Sequence, residues 1–240
     1  MVILIFFLAH WFLSLFFHTF FLHRYASHRM FTMSKFWEKV NYLLTFFTMG
    51  SSFLAPRAYA ILHRSHHAYS DTEKDPHSPH FFKDVFRMMW HTKKIYSDYA
   101  FDRVKPEQRF EDYIPTWKFI DNFGDSWYGR LFFGTCYLLF YIAFATQWWM
   151  FLLLPIHFLM GPIQGALVNW CGHKYGYSNF DNGDNSKNTT PWGLVMLGEL
   201  FQNNHHKFPQ SPKFANRWFE IDPTYYVMKV MSWVGIIKFA

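Results

Sequence analysis

Two long stretches without a charged side chain restrict this chain more than any other feature. Residues 1–22, MVILIFFLAHWFLSLFFHTFFL, contain no Lys, Arg, Asp or Glu, and residues 131–173 contain none either. A helix rises about 1.5 Å per residue, so crossing the roughly 30 Å hydrocarbon core of a bilayer takes ~20 apolar residues. The first stretch suits one span, 1–22, and the second is long enough for two, 131–146 and 149–170. Trp148 and Trp149 sit at the turn between these two and fit the aromatic belt of a membrane interface. The mean hydropathy of −0.08 conceals this pattern, because it averages two unlike populations of residues.

A cleaved signal peptide is not expected at 1–22, since no basic residue precedes the apolar run and no small-residue cleavage site follows it. All 23 Lys and Arg lie in 24–130 or after 173. The positive-inside rule therefore places 24–130 and 174–240 in the cytoplasm as a cap, with the N-terminus outside. Segment 36–60 is apolar at Phe36, Val40, Leu43, Leu44 and Phe47, a helical spacing, yet it also holds Glu38, Lys39 and Arg57. A full crossing there would separate the histidine motifs on either side of it. It reads instead as a helix lying in the interface or dipping partway in. The expected fold is all-α: one domain over 1–240, an integral membrane helical bundle of three spans plus the in-plane helix, under a cytoplasmic histidine-rich cap.

The cap holds the chemistry. Fourteen histidines occur, and eight of them fall in four short motifs: HRYASH (His23, His28), HRSHH (His63, His66, His67), NWCGH (His173) and QNNHH (His205, His206). Residues three and four apart share a helix face, so HRSHH presents its imidazoles to one side and Asn169 lies under His173. Gln202 stands at the same spacing from His205 and His206. His23 and His28 are five apart, which is not one α-helical face, so the helix is expected to unwind near His28. The topology gathers all four motifs at one membrane face. Neutral imidazole binds iron, zinc and copper. Eight imidazoles exceed the four or so ligands of a zinc ion and suffice for two metals of higher coordination number. Nitrogen ligands without thiolates point to di-iron oxygen chemistry. The two cysteines imply no disulfide framework, and Cys171 reads as a small packing residue. Single histidines have plainer readings: His10, His18 and His157 as packing or hydrogen-bonding residues, and His77, His80 and His91 as surface or supporting ones.

The motifs HRYASH, HRSHH, NWCGHKYG and QNNHHKFP, with DTEKDPH and GELFQNNHH beside them, resemble the histidine boxes of integral-membrane fatty acid desaturases, most nearly the acyl-CoA delta-9 (stearoyl-CoA) type. The resemblance runs from about residue 10 to the end. It implies two irons ligated by His23, His28, His63, His66, His67, His173, His205 and His206, with Asn169 acting directly or through a water. It also implies that Lys93 and Lys94 meet the phosphates of CoA. Two departures stand out. The family's last box usually starts with histidine, where this chain has Gln202 as a weaker ligand or the holder of a water. Some front-end desaturases carry glutamine there too, which leaves the position of the new double bond open. The delta-9 type has two spans before its first box, where this chain has room for one. HTFFLH, from His18 to His23, competes as first box; HRYASH is preferred for its His-Arg start and Ser-His end.

The expected activity is O2-dependent insertion of a cis double bond into a long acyl chain carried by CoA, a lipid or a carrier protein. Expected partners are the acyl-CoA or acyl-lipid substrate, membrane lipid and a separate electron donor, ferredoxin-like or a small haem carrier; no nucleic acid is expected. No acid, base or nucleophile is assigned beyond the metal ligands. Three rival readings exist. A hydroxylase or ketolase would use the same scaffold, a b-type cytochrome would need single histidines facing each other in mid-membrane, and a structural zinc protein would favour cysteine. The soluble ferritin-like fold needs paired Glu-x-x-His motifs, which do not occur.

Overall fold

The computed structural model describes residues 1–240. It is mainly helical. Helix α1 runs Val2–Phe17 and continues without a break as a π-helix, His18–Ser27. A short strand, β1 (Phe31–Met33), leads into α2 (Lys35–Met49), which Ser34 caps by accepting from Trp37 N at 3.3 Å. A tight turn at Gly50–Ser52 reverses the chain into α3 (Pro56–Tyr69), with Pro56 in the first turn, where its missing N–H costs nothing. Helices α4 (Val85–Ala100), α5 (Lys118–Asp125) and α6 (Trp127–Phe144) follow. Then come α7 (Leu154–Phe158), α8 (Met160–Ala166), whose end widens into a π-turn at Leu167–Cys171, α9 (Gln202–Lys207) and α10 (Pro223–Trp233). The closing strand β2 (Ile237–Phe239) pairs antiparallel with β1, Phe31 opposite Phe239. This two-stranded sheet departs from the all-α expectation. It satisfies the backbone where α1 turns into α2, and Phe31 stacks on Phe20 at 4.8 Å.

Four differences from the sequence reading have physical causes. First, the helix does not unwind near His28. It loosens into i→i+5 bonding, with His28 N donating to His23 O at 3.2 Å, and this repeat puts residues five apart on one face. Second, segment 36–60 is not one helix. Gly50, at φ 52°, ends α2, and a Cβ there would meet the Tyr137 hydroxyl, so the position requires glycine. Third, the α2–turn–α3 hairpin packs against α6 and α1, contacts the sequence does not reveal. Ser51 N bonds Tyr137 Oη at 3.3 Å, and that hydroxyl is 3.4 Å from His10 Nε2, partway along α1. Fourth, one helix alone, Val2–Ser27, is long and apolar enough to cross a membrane. Trp148–Phe158 and Met160–Cys171, bent by 67°, would make a second if taken as one span. The expected span 131–146 falls on α6, where Arg130 in the first turn and Tyr137 and Tyr141 dilute the apolar content. Its outward face still carries Leu131, Phe132, Leu139 and Ile142.

The core is aromatic. Phe20, Phe21, Tyr42, Phe46, Phe53, Phe133 and Phe214 join one buried cluster, which holds eight of the 31 phenylalanines. Arg24 is buried completely within this setting. Its guanidinium grips Asp222 with both oxygens at 3.0 Å, donates to Pro212 O at 3.0 Å and lies over the Phe214 ring. The first helix is thereby fixed to the C-terminal segment, and the motifs at both ends of the chain meet.

Candidate metal centre

The eight histidines converge into two groups. Five of them, His23, His28, His63, His67 and His205, bring ligand nitrogens within 4.8 Å of one another, and His66, His173 and His206 form a second set. HRSHH therefore does not act as one face. His63 and His67, four apart on α3, join the first group, while His66 turns to the second.

Within the first group, Nε2 atoms meet at 2.7 Å (His28–His63), 3.0 Å (His63–His67), 2.9 Å (His67–His205) and 2.9 Å (His23–His205). A neutral imidazole has one N–H, so such a ring of nitrogens cannot satisfy itself with hydrogen bonds. His23 has already spent its proton, donating from Nδ1 to Glu199 Oε2 at 2.7 Å. Two imidazoles at right angles on a metal, with bonds of about 2.0–2.1 Å, stand about 2.9 Å apart. The observed spacings match that figure. In the second group His66 and His206 Nε2 are 3.2 Å apart, and His173 Nε2 is buried with no hydrogen-bond partner. These lone pairs have the chemistry of a cation site, and the residues fit two metals.

Carboxylates hold the rings from behind. His66 Nδ1 donates to Asp75 at 2.9 Å, His173 Nδ1 to Asp71 at 3.0 Å and His206 Nδ1 to Asp184 at 2.6 Å. Such contacts fix the tautomer, so that Nε2 carries the lone pair, and they raise the basicity of the ligand. Thr19 donates to Glu199 on the same pattern. Electrostatics agree. Burial, and then the neighbouring imidazoles, push His28, His63, His67 and His205 well below the usual imidazole range. Burial lowers His206 to about 4, although Asp184 opposes it. These five rings are therefore neutral, the form that binds metal. Burial alone would raise the carboxyls, but contact with His173 brings Asp71 to about 2 and contact with His23 brings Glu199 to about 2. Asp75 and Asp184 lie below the usual carboxylate range for the same reason.

The other expected residues have different surroundings. Asn169 is half-buried on the π-turn of α8; the helix ends before His173, so the two do not share a regular α-helical face. Gln202 is buried at the start of α9, its Nε2 donating to Glu199 O at 2.7 Å and its Cγ against Gly172, where a Cβ would collide. Lys93 and Lys94 are exposed on α4 and line a shallow surface pocket of about 300 Å³ with Trp90, Ser97, Asp98 and Arg103. His18 is outside both groups, its ring edge-on to Tyr59 at 5.0 Å. His10 and His157 do face each other, but their Nδ1 atoms are 2.6 Å apart and the rings stack at 4.9 Å. A metal between two imidazoles needs about 4 Å, so this pair does not bracket a haem iron. His91 is exposed beside Phe82, and His80 donates to His173 O at 3.0 Å. Of the two readings given for His77, surface or supporting, burial excludes the first.

The sequence reading missed the four supporting carboxylates. Asp71 and Asp75 lie in DTEKDPH and Glu199 in GELFQNNHH, which were noticed as motif neighbours without a role. Asp184 belongs to the turn-rich loop NFDNGDNSKN, where nothing local marks it.

The model of the fatty acid desaturase family matches residues 1–229. Among curated proteins, an acyl-CoA 5-desaturase of Anemone leveillei is 30% identical over 184 residues, covering 72% of this chain and 52% of that protein. The delta-9 desaturase-like 5 protein of Arabidopsis thaliana is 28% identical over 218 residues, 87% of this chain and 66% of that protein. An sn-1 stearoyl-lipid 9-desaturase of Anabaena variabilis is 26% identical over 179 residues, 72% of this chain and 61% of that protein. The chain thus spans about half to two thirds of the length of these relatives.

Proposed function

The chain belongs to the fatty acid desaturase family, and on that premise we propose that it desaturates a long acyl chain at two irons, with O2 as co-substrate. The observation that carries this reading is the convergence of eight imidazoles into a five-member and a three-member group, four of them backed by carboxylates. His23, His28, His63, His67 and His205 would hold one iron, and His66, His173 and His206 the other. Asn169, through a water, and the Oε1 of Gln202 would add weaker oxygen donors. When bound, the metals supply the oxidising power needed to break unactivated C–H bonds. The reaction balances as follows: –CH2–CH2– loses two hydrogens to become a cis –CH=CH–, and these, with two electrons and two protons from a separate donor, reduce O2 to two waters. The protein keeps the imidazoles neutral, fixes their tautomers and shields the site from bulk water.

The substrate reading is a long acyl-CoA desaturated at the delta-9 position. Relatives named for acyl-CoA and for acyl-lipid substrates are both found. The pocket formed by Lys93, Lys94 and Arg103 around Trp90 favours CoA, since it offers cations to phosphates beside an aromatic face. The same reading has three spans in the membrane, α1, α6 and the bent α7–α8 pair, with the metal site at the cytoplasmic face. The exposed apolar side chains of α1 and α6, such as Ile5, Leu8, Leu139 and Ile142, are what lipid contact would require.

Expression in a host without desaturases, followed by mass spectrometry of the fatty acids, tests the function. A cis-monounsaturated product is expected, and the Lys93→Ala/Lys94→Ala pair should raise the apparent KM for acyl-CoA. Hydroxy or keto fatty acids without an alkene would overturn desaturation and favour oxygen insertion on the same scaffold.

A further inference from the structure

The two imidazole groups are unequal, and His77 lies where the shortage is. The first group has five imidazoles and the second has three. The amide nitrogen of Gln202, which heads the last motif, is already bonded to Glu199 O, and a neutral amide oxygen is a weaker iron ligand than imidazole. His77 meanwhile is only 3% exposed, yet neither of its ring nitrogens has a hydrogen-bond partner. A buried ring of this kind leaves a donor and an acceptor without a protein partner, an unfavourable arrangement unless something else binds there.

We propose that His77 is a further imidazole ligand for the metal at the three-histidine group, an inference that rests on the reading of that group as a metal site. Its ring centroid is 4.2 Å from that of His66. Rings within the three-histidine group stand 4.9–5.0 Å apart, and in the five-histidine group His23 lies 5.1, 4.3 and 4.6 Å from His28, His63 and His205, so His77 is as near to His66 as rings of one group are to each other. Ligand atoms of His66, Asp75 and His77 lie within 4.8 Å of one another, a set that shares His66 with the three-histidine group but does not itself include His173 or His206, so His77 has to turn toward those two rings to join their metal. Asp75 places both rings, accepting from His66 Nδ1 at 2.9 Å and from the backbone N–H of His77 at 3.0 Å. Because its Nδ1 and Nε2 are both uncommitted, the His77 ring can turn toward the metal without breaking a bond. A fourth imidazole brings the second group close to the first in donor number and leaves the amides as auxiliary donors.

The test uses the full chain in detergent, stripped by a chelator and reloaded anaerobically with ferrous iron. Iron per chain and Mössbauer spectra are read alongside thermal melting. The wild-type chain is expected to take up two irons, and His77→Gly roughly half as much, with one of two iron signals weakened. Millimolar imidazole, able to occupy the vacated space, should restore the lost iron. The exposed His91→Gly serves as a control and should match the wild type. A His77→Gly protein that keeps two irons with an unchanged spectrum overturns the assignment. So does one that loses iron, melts like the wild type and is not restored by imidazole, since the loss would then come from packing. A wild-type chain that takes up no iron would overturn the metal reading itself and the role of His77 with it.

Discussion

Asp184 shows how much of the centre is decided one residue away from the ligands. Its carboxylate lies 2.6 Å from His206 Nδ1 and also accepts from Ser186 N at 3.0 Å. It holds the imidazole in the tautomer that points Nε2 inward, and it contributes nothing to the helical frame, because it sits in a loop. Asp184→Ala should therefore weaken iron binding roughly 10–100-fold with little change in melting. Competition with a chelator of known affinity measures this, and an unchanged affinity would show that His206 is oriented by other means. The residue scale is also where the sequence was most and least readable. His63 and His67 could be paired from their spacing on a helix, and the four motifs could be gathered by topology. The carboxylates behind them could not, since a single Asp in a turn has no periodic mark. His66 could not be separated from its neighbours either, because a helix face is broad enough to serve two metals. For His77 the choice between a surface and a supporting role stayed open, because nothing in the sequence reports burial inside a polar loop.

Among the elements, the π-helical end of α1 matters most. Regular α-helix would send His23 and His28 to different sides, whereas i→i+5 bonding aligns them. A π-helix is intrinsically rare, so something must hold it. Arg24 does so, by its buried contacts to Asp222, Pro212 and Phe214. Asp222 in turn caps α10 by accepting from Tyr225 N at 3.2 Å and receives Phe214 N at 2.8 Å. Removing Asp222 would leave the guanidinium uncompensated in the core, which typically costs about 3–5 kcal/mol. Asp222→Ala should melt well below the wild type, and the double change Arg24→Met/Asp222→Leu should recover part of the loss. A single variant that melts like the wild type would show that the pair does not anchor the π-helix. None of this was visible in the sequence, because a hydropathy pattern does not distinguish α from π and does not pair residue 24 with residue 222.

At the scale of the whole molecule, the architecture brings four distant motifs to one place. The first helix carries HRYASH, the α2–α3 hairpin returns HRSHH beside it, and the bent α7–α8 pair delivers His173. The C-terminal segment lays α9 across them, and β2 closes on β1 to hold that segment down. The apolar N-terminal helix and the apolar bent pair were legible from charge placement. The bend between α7 and α8 and the break at Gly50 were not, since both depend on contacts with other helices. This arrangement makes one strong claim, that two imidazole groups hold two metals. The most direct test is the iron content of turnover-competent protein, measured per chain together with activity. Two irons per chain, rising and falling with activity, is the predicted result. One zinc per chain in fully active protein would contradict it.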